Sequence, residues 1–144
     1  METMMNSRKK LLARRFIDIL DRKELDKLGE VLSDEVVWHG TGGIGKLRGL
    51  ENYKKTVDQV LRAFPDSTTS IDILLVDGDM VAIRYTMHGT HKREFMGFPP
   101  TEERVSMATN MIVRIEADKI EEIWHGADPV GLMMANNPFA KETS

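Results

Sequence analysis

Ser70-Ile-Asp-Ile-Leu-Leu-Val-Asp-Gly-Asp-Met-Val-Ala-Ile-Arg-Tyr-Thr-Met-His-Gly-Thr90 is the stretch on which the fold turns. Up to Phe64 the apolar residues recur at helical spacing; here they switch to a period of two. Ser70–Val76 reads as a strand, Asp77-Gly78-Asp79 as a hairpin turn, and Met80–Thr90 as a long second strand. In that second strand Val81, Ile83, Tyr85 and Met87 share one face. Arg84, Thr86 and His88 share the other.

Going forward, residues 91–101 form a loop with two consecutive prolines, and Glu103–Glu116 is another strand. Its alternating side is Val105, Met107, Thr109, Met111, Val113 and Ile115. Ala117-Asp118 is a tight turn and Lys119–His125 the last strand; a short helical turn and a loose tail follow Leu132. Going backward, Leu50–Phe64 is a helix burying Leu50, Tyr53, Val57, Val60, Leu61 and Phe64, stopped by Pro65-Asp66. Thr41–Gly49 is a glycine-rich loop, Glu35–His39 a short strand, Lys23–Leu32 a helix broken by Ser33-Asp34. A first helix over 6–21, capped by Asn6 or Ser7, presents Leu11, Leu12, Phe16, Ile19 and Leu20. Helices followed by a meander of strands means α+β. The expected architecture is a cone-shaped α+β barrel. In it a strongly curved antiparallel sheet and three helices from the N-terminal half enclose a pocket. No repeat or linker divides the chain, so 1–144 is read as one domain with its core at about 8–134.

Composition narrows the function. The net charge of −3 and the lack of a basic stripe argue against nucleic acid as a partner. The basic residues Arg8-Lys9-Lys10 and Arg14-Arg15 alternate with apolar ones, as on a solvated helix face. There is no cysteine, which excludes disulfides and thiolate chemistry. No apolar run approaches the roughly 20 residues of a membrane span, and the N-terminal segment is basic and amphipathic rather than signal-like. A cytoplasmic protein with no membrane partner is expected. Gly40-Thr-Gly-Gly-Ile-Gly45 lacks the Gly-Lys-Ser/Thr ending of a phosphate loop and is read as a rim over a pocket. Ten methionines suit either an adaptable cavity wall or ordinary core filling.

The chemistry concentrates between Ile120 and Gly131, where Trp124, His125 and Asp128 stand close in sequence. Strand alternation puts Trp124 and His125 on opposite faces, so one of them lines the cavity. Asp128 precedes Pro129, which is a helix-start signal as well as a candidate site. Trp38, Trp124 and Tyr53 are read as core, or as walls stacking on a planar polycyclic ligand. Arg84 and Asn110 lie mid-strand: on the concave face they would bond a ligand carbonyl, on the convex face a second subunit. The four histidines fall at no metal-ligand spacing with a carboxylate, so no metal is expected.

These residues also carry a family resemblance. Phe64-Pro65-Asp66, Gly78-Asp79-x-Val81-Ala82, Gly89-Thr90-His91 and Glu94-Phe95-x-Gly97-x-Pro99-Pro100-Thr101 occur in order. Arg114-Ile115, Lys119-Ile120 and Trp124-x-x-x-Asp128-x-x-Gly131 follow. Over about residues 8–134 the chain resembles the SnoaL-like polyketide cyclases, or ester cyclases, of the nuclear transport factor 2-like superfamily. The resemblance implies a cofactor-independent enzyme of lyase or isomerase type that closes a ring by an aldol reaction in an apolar pocket. It implies Asp128 as general acid/base, with His39 and His91 at the pocket or its rim and His88 and His125 on the surface or at an interface. Trp38, Trp124, Tyr53, Asn110 and Met107 are read as substrate-pocket residues, and the resemblance implies no metal or organic cofactor. The partner implied is an apolar or polycyclic small molecule, in a homodimer or homotetramer. The alternatives on the same fold are a non-catalytic ligand-binding or dimerisation module and a relative of the isomerases or epoxide hydrolases.

Overall fold

The computed structural model describes residues 2–40, 45–95 and 97–127. Helix α1 (Glu2–Arg22) leads into a 3₁₀ turn (Leu25–Glu30), then strands β1 (Leu32–His39) and β2 (Lys46–Arg48) and helix α2 (Leu50–Ala63). Strands β3 (Thr68–Asp77), β4 (Met80–Thr90), β5 (Arg104–Glu116) and β6 (Lys119–Ala127) complete the order. They form one six-stranded sheet in the order β2-β1-β6-β5-β4-β3, curved but not closed. The architecture is the α+β one expected, with three helices set beside a curved sheet.

Helix α1 starts at Glu2, so Asn6 and Ser7 lie inside it rather than capping it, and three further details differ from the sequence reading. The helix expected over Lys23–Leu32 is a short 3₁₀ turn, and β1 already starts at Leu32. Lys23 has φ 61 and ends α1: its N–H donates to the Leu20 carbonyl and the Glu24 N–H to the Ile19 carbonyl, the reversed pairing that closes a helix end. Second, Lys46–Arg48 inside the expected loop is a strand, antiparallel to β1 through Val37↔Arg48 and His39↔Lys46. Three residues are too few to show a period. Third, the sheet is mixed: β1 pairs parallel with β6. Hairpin logic orders only strands adjacent in the chain, whereas a parallel pair needs a long crossover, here everything from β2 to β5.

Strand alternation sorts the side chains onto two faces. Across β4 and β5 the inner face carries Val81↔Val113, Ile83↔Met111, Tyr85↔Thr109 and Met87↔Met107. The outer face carries Ala82↔Ile112, Arg84↔Asn110 and His88↔Ser106. Ile123 and His125 of β6 join the inner face opposite Val113 and Met111. The inner face packs against α1 and α2 in one main core that includes Phe16, Leu28, Val36, Trp38, Tyr53, Val113 and Ile123. A second cluster of Ala63, Phe64, Met87, Val105 and Met107 closes the far end. Burying large apolar side chains here contributes roughly 1.5–3 kcal/mol each. Gly89 sits where this packing is closest: a Cβ there would lie 3.3 Å from Phe64 and from Ser67. Among the described residues no helix is long and apolar enough to cross a membrane.

Candidate functional site

Helix α2 supplies one wall of the candidate site. Tyr53, Thr56, Val57, Val60 and Ala63 form a stripe at helical spacing, and that stripe roofs a cavity of about 700 Å³. Trp38 from β1, Leu47 from β2 and His125 from β6 close one side; Arg93, Glu94 and Phe95 from the loop after β4 close the other. The volume is in the range of small-molecule sites. Aromatic rings define its shape. Trp38 meets Tyr53 edge-on at 6.5 Å between centroids and His125 at 5.9 Å, and Tyr53 in turn rests on Phe16 at 6.2 Å.

Beside this apolar lining the inner face of the sheet carries a polar chain. The Tyr85 hydroxyl and His125 Nε2 are 3.3 Å apart. The Thr109 hydroxyl, opposite Tyr85 in the β4–β5 register, also bonds the phenol oxygen. Burial pushes the Tyr85 phenol up to about 12, and the Thr109 bond only partly opposes it. Burial pushes the His125 imidazole down to about 4. Burial, with Tyr85 nearby, also raises the Tyr53 phenol well above its ordinary value. At neutral pH the imidazole and both phenols are therefore uncharged. They can share protons through hydrogen bonds without adding a charge of their own to the Arg62, Arg93 and Glu94 already in the cavity wall.

The expected site residues separate into three groups. Trp38 and Tyr53 stand in the cavity wall as anticipated. His39, Trp124 and Asn110 instead lie on the outer face. His39 pairs with Trp124 across β1 and β6, and the two rings stack at 5.3 Å and 7°. His39 Nε2 is 2.6 Å from Glu122 Oε2, which holds the Glu122 carboxyl below the usual range, with help from Arg114. Asn110 Oδ1 accepts from Arg84 Nη1 at 3.2 Å on an exposed surface. All three have the strand parity of Val37 and Glu122, opposite to that of Trp38 and Ile123, and this carries them away from the cavity. The third group is the far cluster: Met107 packs with Met87 and Phe64, and His91 is fully buried, stacked on Phe64 at 5.4 Å. His91 Nδ1 accepts the Thr101 backbone N–H at 3.3 Å, while its Nε2 has no hydrogen-bond partner among the described residues. Neither His91 nor Met107 is among the described residues lining the cavity. Asp128 lies outside the described residues. No group of three or more potential metal ligands occurs among the described residues.

His125, expected on the surface or at an interface, instead lies on the inner face in the cavity wall, and Tyr85, read as core, stands beside it. The signal was present: His125 has the parity of Ile123, and Tyr85 that of Ile83 and Met87. An imidazole two residues beyond a core isoleucine on a strand belongs to the inner face.

An α+β scaffold with a cavity between one helix and the inner face of an open sheet is a class shared by many proteins. The profile of the SnoaL-like polyketide cyclases matches residues 10–136, and the chain belongs to that family. Among solved structures it is similar to IdmH, a candidate polyketide cyclase from Streptomyces antibioticus, with 26% identity and a TM-score of 0.73 over 85% of this chain and 93% of that one. It is similar to a SnoaL-like polyketide cyclase from Agrobacterium tumefaciens, with 25% identity and a TM-score of 0.74 over 88% and 95%. It is also similar to AclR, a candidate hydroxylase from Streptomyces galilaeus, with 25% identity and a TM-score of 0.76 over 92% and 98%. No curated protein matches the sequence.

Proposed function

We propose that this protein closes a ring in an apolar substrate bearing several ketones, bound beneath α2. The observation that carries the reading is the cavity of about 700 Å³ walled by Trp38, Tyr53, Val57, Val60 and Phe95, in a chain of the polyketide cyclase family. An intramolecular aldol closure needs one group to take a proton alpha to a carbonyl. The resulting enolate carbon then bonds the second carbonyl carbon, and the new alkoxide takes a proton back. A single carboxyl group performs both transfers when an apolar site raises its pKa. Family resemblance assigns that role to Asp128. Trp38 and Tyr53 hold the extended substrate flat, and folding the chain against a rigid wall supplies the proximity that ring closure needs. His39 and Trp124 take no part in this reading, because they stand on the far side of the sheet.

The test is to incubate the protein with a linear aromatic poly-ketone methyl ester and follow products by mass and absorbance. Ring closure leaves the mass unchanged and shifts the chromophore. Added oxygen would raise the mass and point instead to the hydroxylase chemistry named for AclR. Asp128→Asn is expected to reduce closure at least a hundredfold, the scale of lost general acid–base catalysis, and Trp124→Phe to leave it intact. Equal turnover by wild type and Asp128→Asn refutes the assignment.

A further inference from the structure

The charged side chains of the cavity wall stand at one end of it. Arg62 belongs to the last turn of α2, and Arg93 and Glu94 follow Lys92, whose N–H donates to the Ala63 carbonyl at 2.8 Å and ties the loop to that helix end. The opposite end, with Trp38, Leu47, Tyr53 and His125, carries no charge at neutral pH. A ligand beneath α2 therefore meets apolar rings at one end and ions at the other.

Most of these ions are already engaged. Arg62 Nε donates to Asp58 Oδ2 at 2.6 Å, one turn back on the helix. Glu94, the one acid among the described wall residues, accepts the Gly97 N–H on Oε1 at 2.8 Å. Lys92, just outside the wall, bonds Glu102 at 2.8 Å. The Arg93 guanidinium makes no ion pair or hydrogen bond with another described residue. Arg93 is both exposed and part of the wall, which places it where the cavity meets solvent. Its backbone is held from both sides. Lys92 is bound to Ala63, and Phe95 exchanges backbone hydrogen bonds with Phe98 at 3.0 and 2.9 Å and sets its ring edge-on to Phe64 at 5.3 Å. A cation with uncommitted N–H donors is thus kept at the open end of an otherwise apolar cavity.

We infer that Arg93 binds a carboxylate at the solvent end of the cavity, so that the favoured ligand is an aromatic keto acid lying with its rings toward Trp38 and its anionic end at the loop. The inference rests on the reading of this cavity as a small-molecule site and deepens it, because it names the charged end of the ligand and its orientation. A guanidinium holds a carboxylate through two parallel N–H···O bonds, which an uncharged methyl ester does not match. The reverse orientation would strip a carboxylate of water against Trp38 and Val57, where the described wall offers no cation to compensate it.

The experiment uses a matched pair of probes, naphthoylpropionic acid and its methyl ester, titrated calorimetrically at neutral pH into the full-length protein and into Arg93→Met. Methionine keeps an unbranched apolar stem and removes the charge, and at an exposed position that bonds no described residue it leaves the fold in place. The quantity read is the ratio of acid to ester affinity in each protein, which cancels the intrinsic difference between the two probes. That ratio is expected to fall about 2- to 5-fold in Arg93→Met at low ionic strength, the scale of an ion pair within reach of solvent. The ester should bind both proteins alike, and the fall should shrink as salt is raised. Equal ratios in the two proteins overturn the subsite while leaving the cavity reading intact. A fall that salt does not alter means lost packing of the arginine stem, and also overturns it. Failure of both probes to bind wild type overturns the cavity reading, and the subsite with it.

Discussion

Acidification from pH 7 to pH 5 is expected to cost the folded protein about 2 kcal/mol through His125 alone. The imidazole titrates near 4 in the fold, because burial disfavours its cation, and near 6.5 when the chain is unfolded. Between those values the unfolded state binds a proton that the folded state does not. Stability therefore rises with pH through this window and falls as pH drops from 6.5 toward 4. At pH 7 only about a quarter of unfolded chains carry the proton, a contribution of roughly 0.2 kcal/mol; at pH 5 nearly all do, and the penalty reaches about 2 kcal/mol. The assay is urea unfolding followed by circular dichroism at both pH values, for wild type and His125→Gln. The substitution itself shifts stability, but the quantity read is the change between pH 7 and pH 5 in each protein. The lowered carboxyls of Asp66 and Glu122 lose stability only as pH falls further through their own titrations, and they are common to both proteins. The variant is expected to lose less than wild type by about 1–2 kcal/mol. Equal losses would show that the imidazole is not held uncharged by its burial.

Two further substitutions test the packing and the turns. Gly89→Ala places a methyl group 3.3 Å from Phe64 and Ser67, at the closest approach of the helix end to β4. We expect a loss of about 1–3 kcal/mol in denaturant unfolding; an unchanged stability would contradict the close packing at this end of the core. The β5–β6 turn holds Ala117 at φ 51 and Asp118 at φ 62, a left-handed pair that favours glycine. Asp118→Gly is expected to raise the melting temperature by a few degrees, from roughly 0.5–1 kcal/mol of relieved strain. The exposed Arg8–Asp118 pair at 3.4 Å adds too little to reverse that sign.

Much of this fold was legible because its signals are local. Met80–Thr90 is a strand with the bounds that alternation and the Asp77-Gly78-Asp79 turn imply, and Leu50–Ala63 is a helix stopped at Phe64-Pro65. What escaped depends on distant partners. Lys46–Arg48 is a strand only because β1 lies beside it, and the parallel β1–β6 pair joins residues as far apart in sequence as Leu32 and Ile120. The site was harder still. Alternation shows that Trp124 and His125 point to opposite faces, but choosing the inner one means weighing neighbours. Trp124, although bulky and apolar, shares parity with Glu122 and ends on the outer face against His39. His125, although polar, shares parity with Ile123 and reaches the cavity. Residue type alone pointed the wrong way for both, and the register decided.

The two tryptophans stand on opposite sides of one sheet, and this makes the central claim directly measurable. In a ¹⁵N–¹H spectrum each indole N–H gives its own signal, assigned with Trp38→Phe and Trp124→Phe. Titration with α-tetralone or a larger aromatic ketone is expected to move the Trp38 signal in a saturable way and leave that of Trp124 in place. Movement of Trp124 with Trp38 unchanged would put the ligand on the outer face, and would contradict a binding site beneath α2.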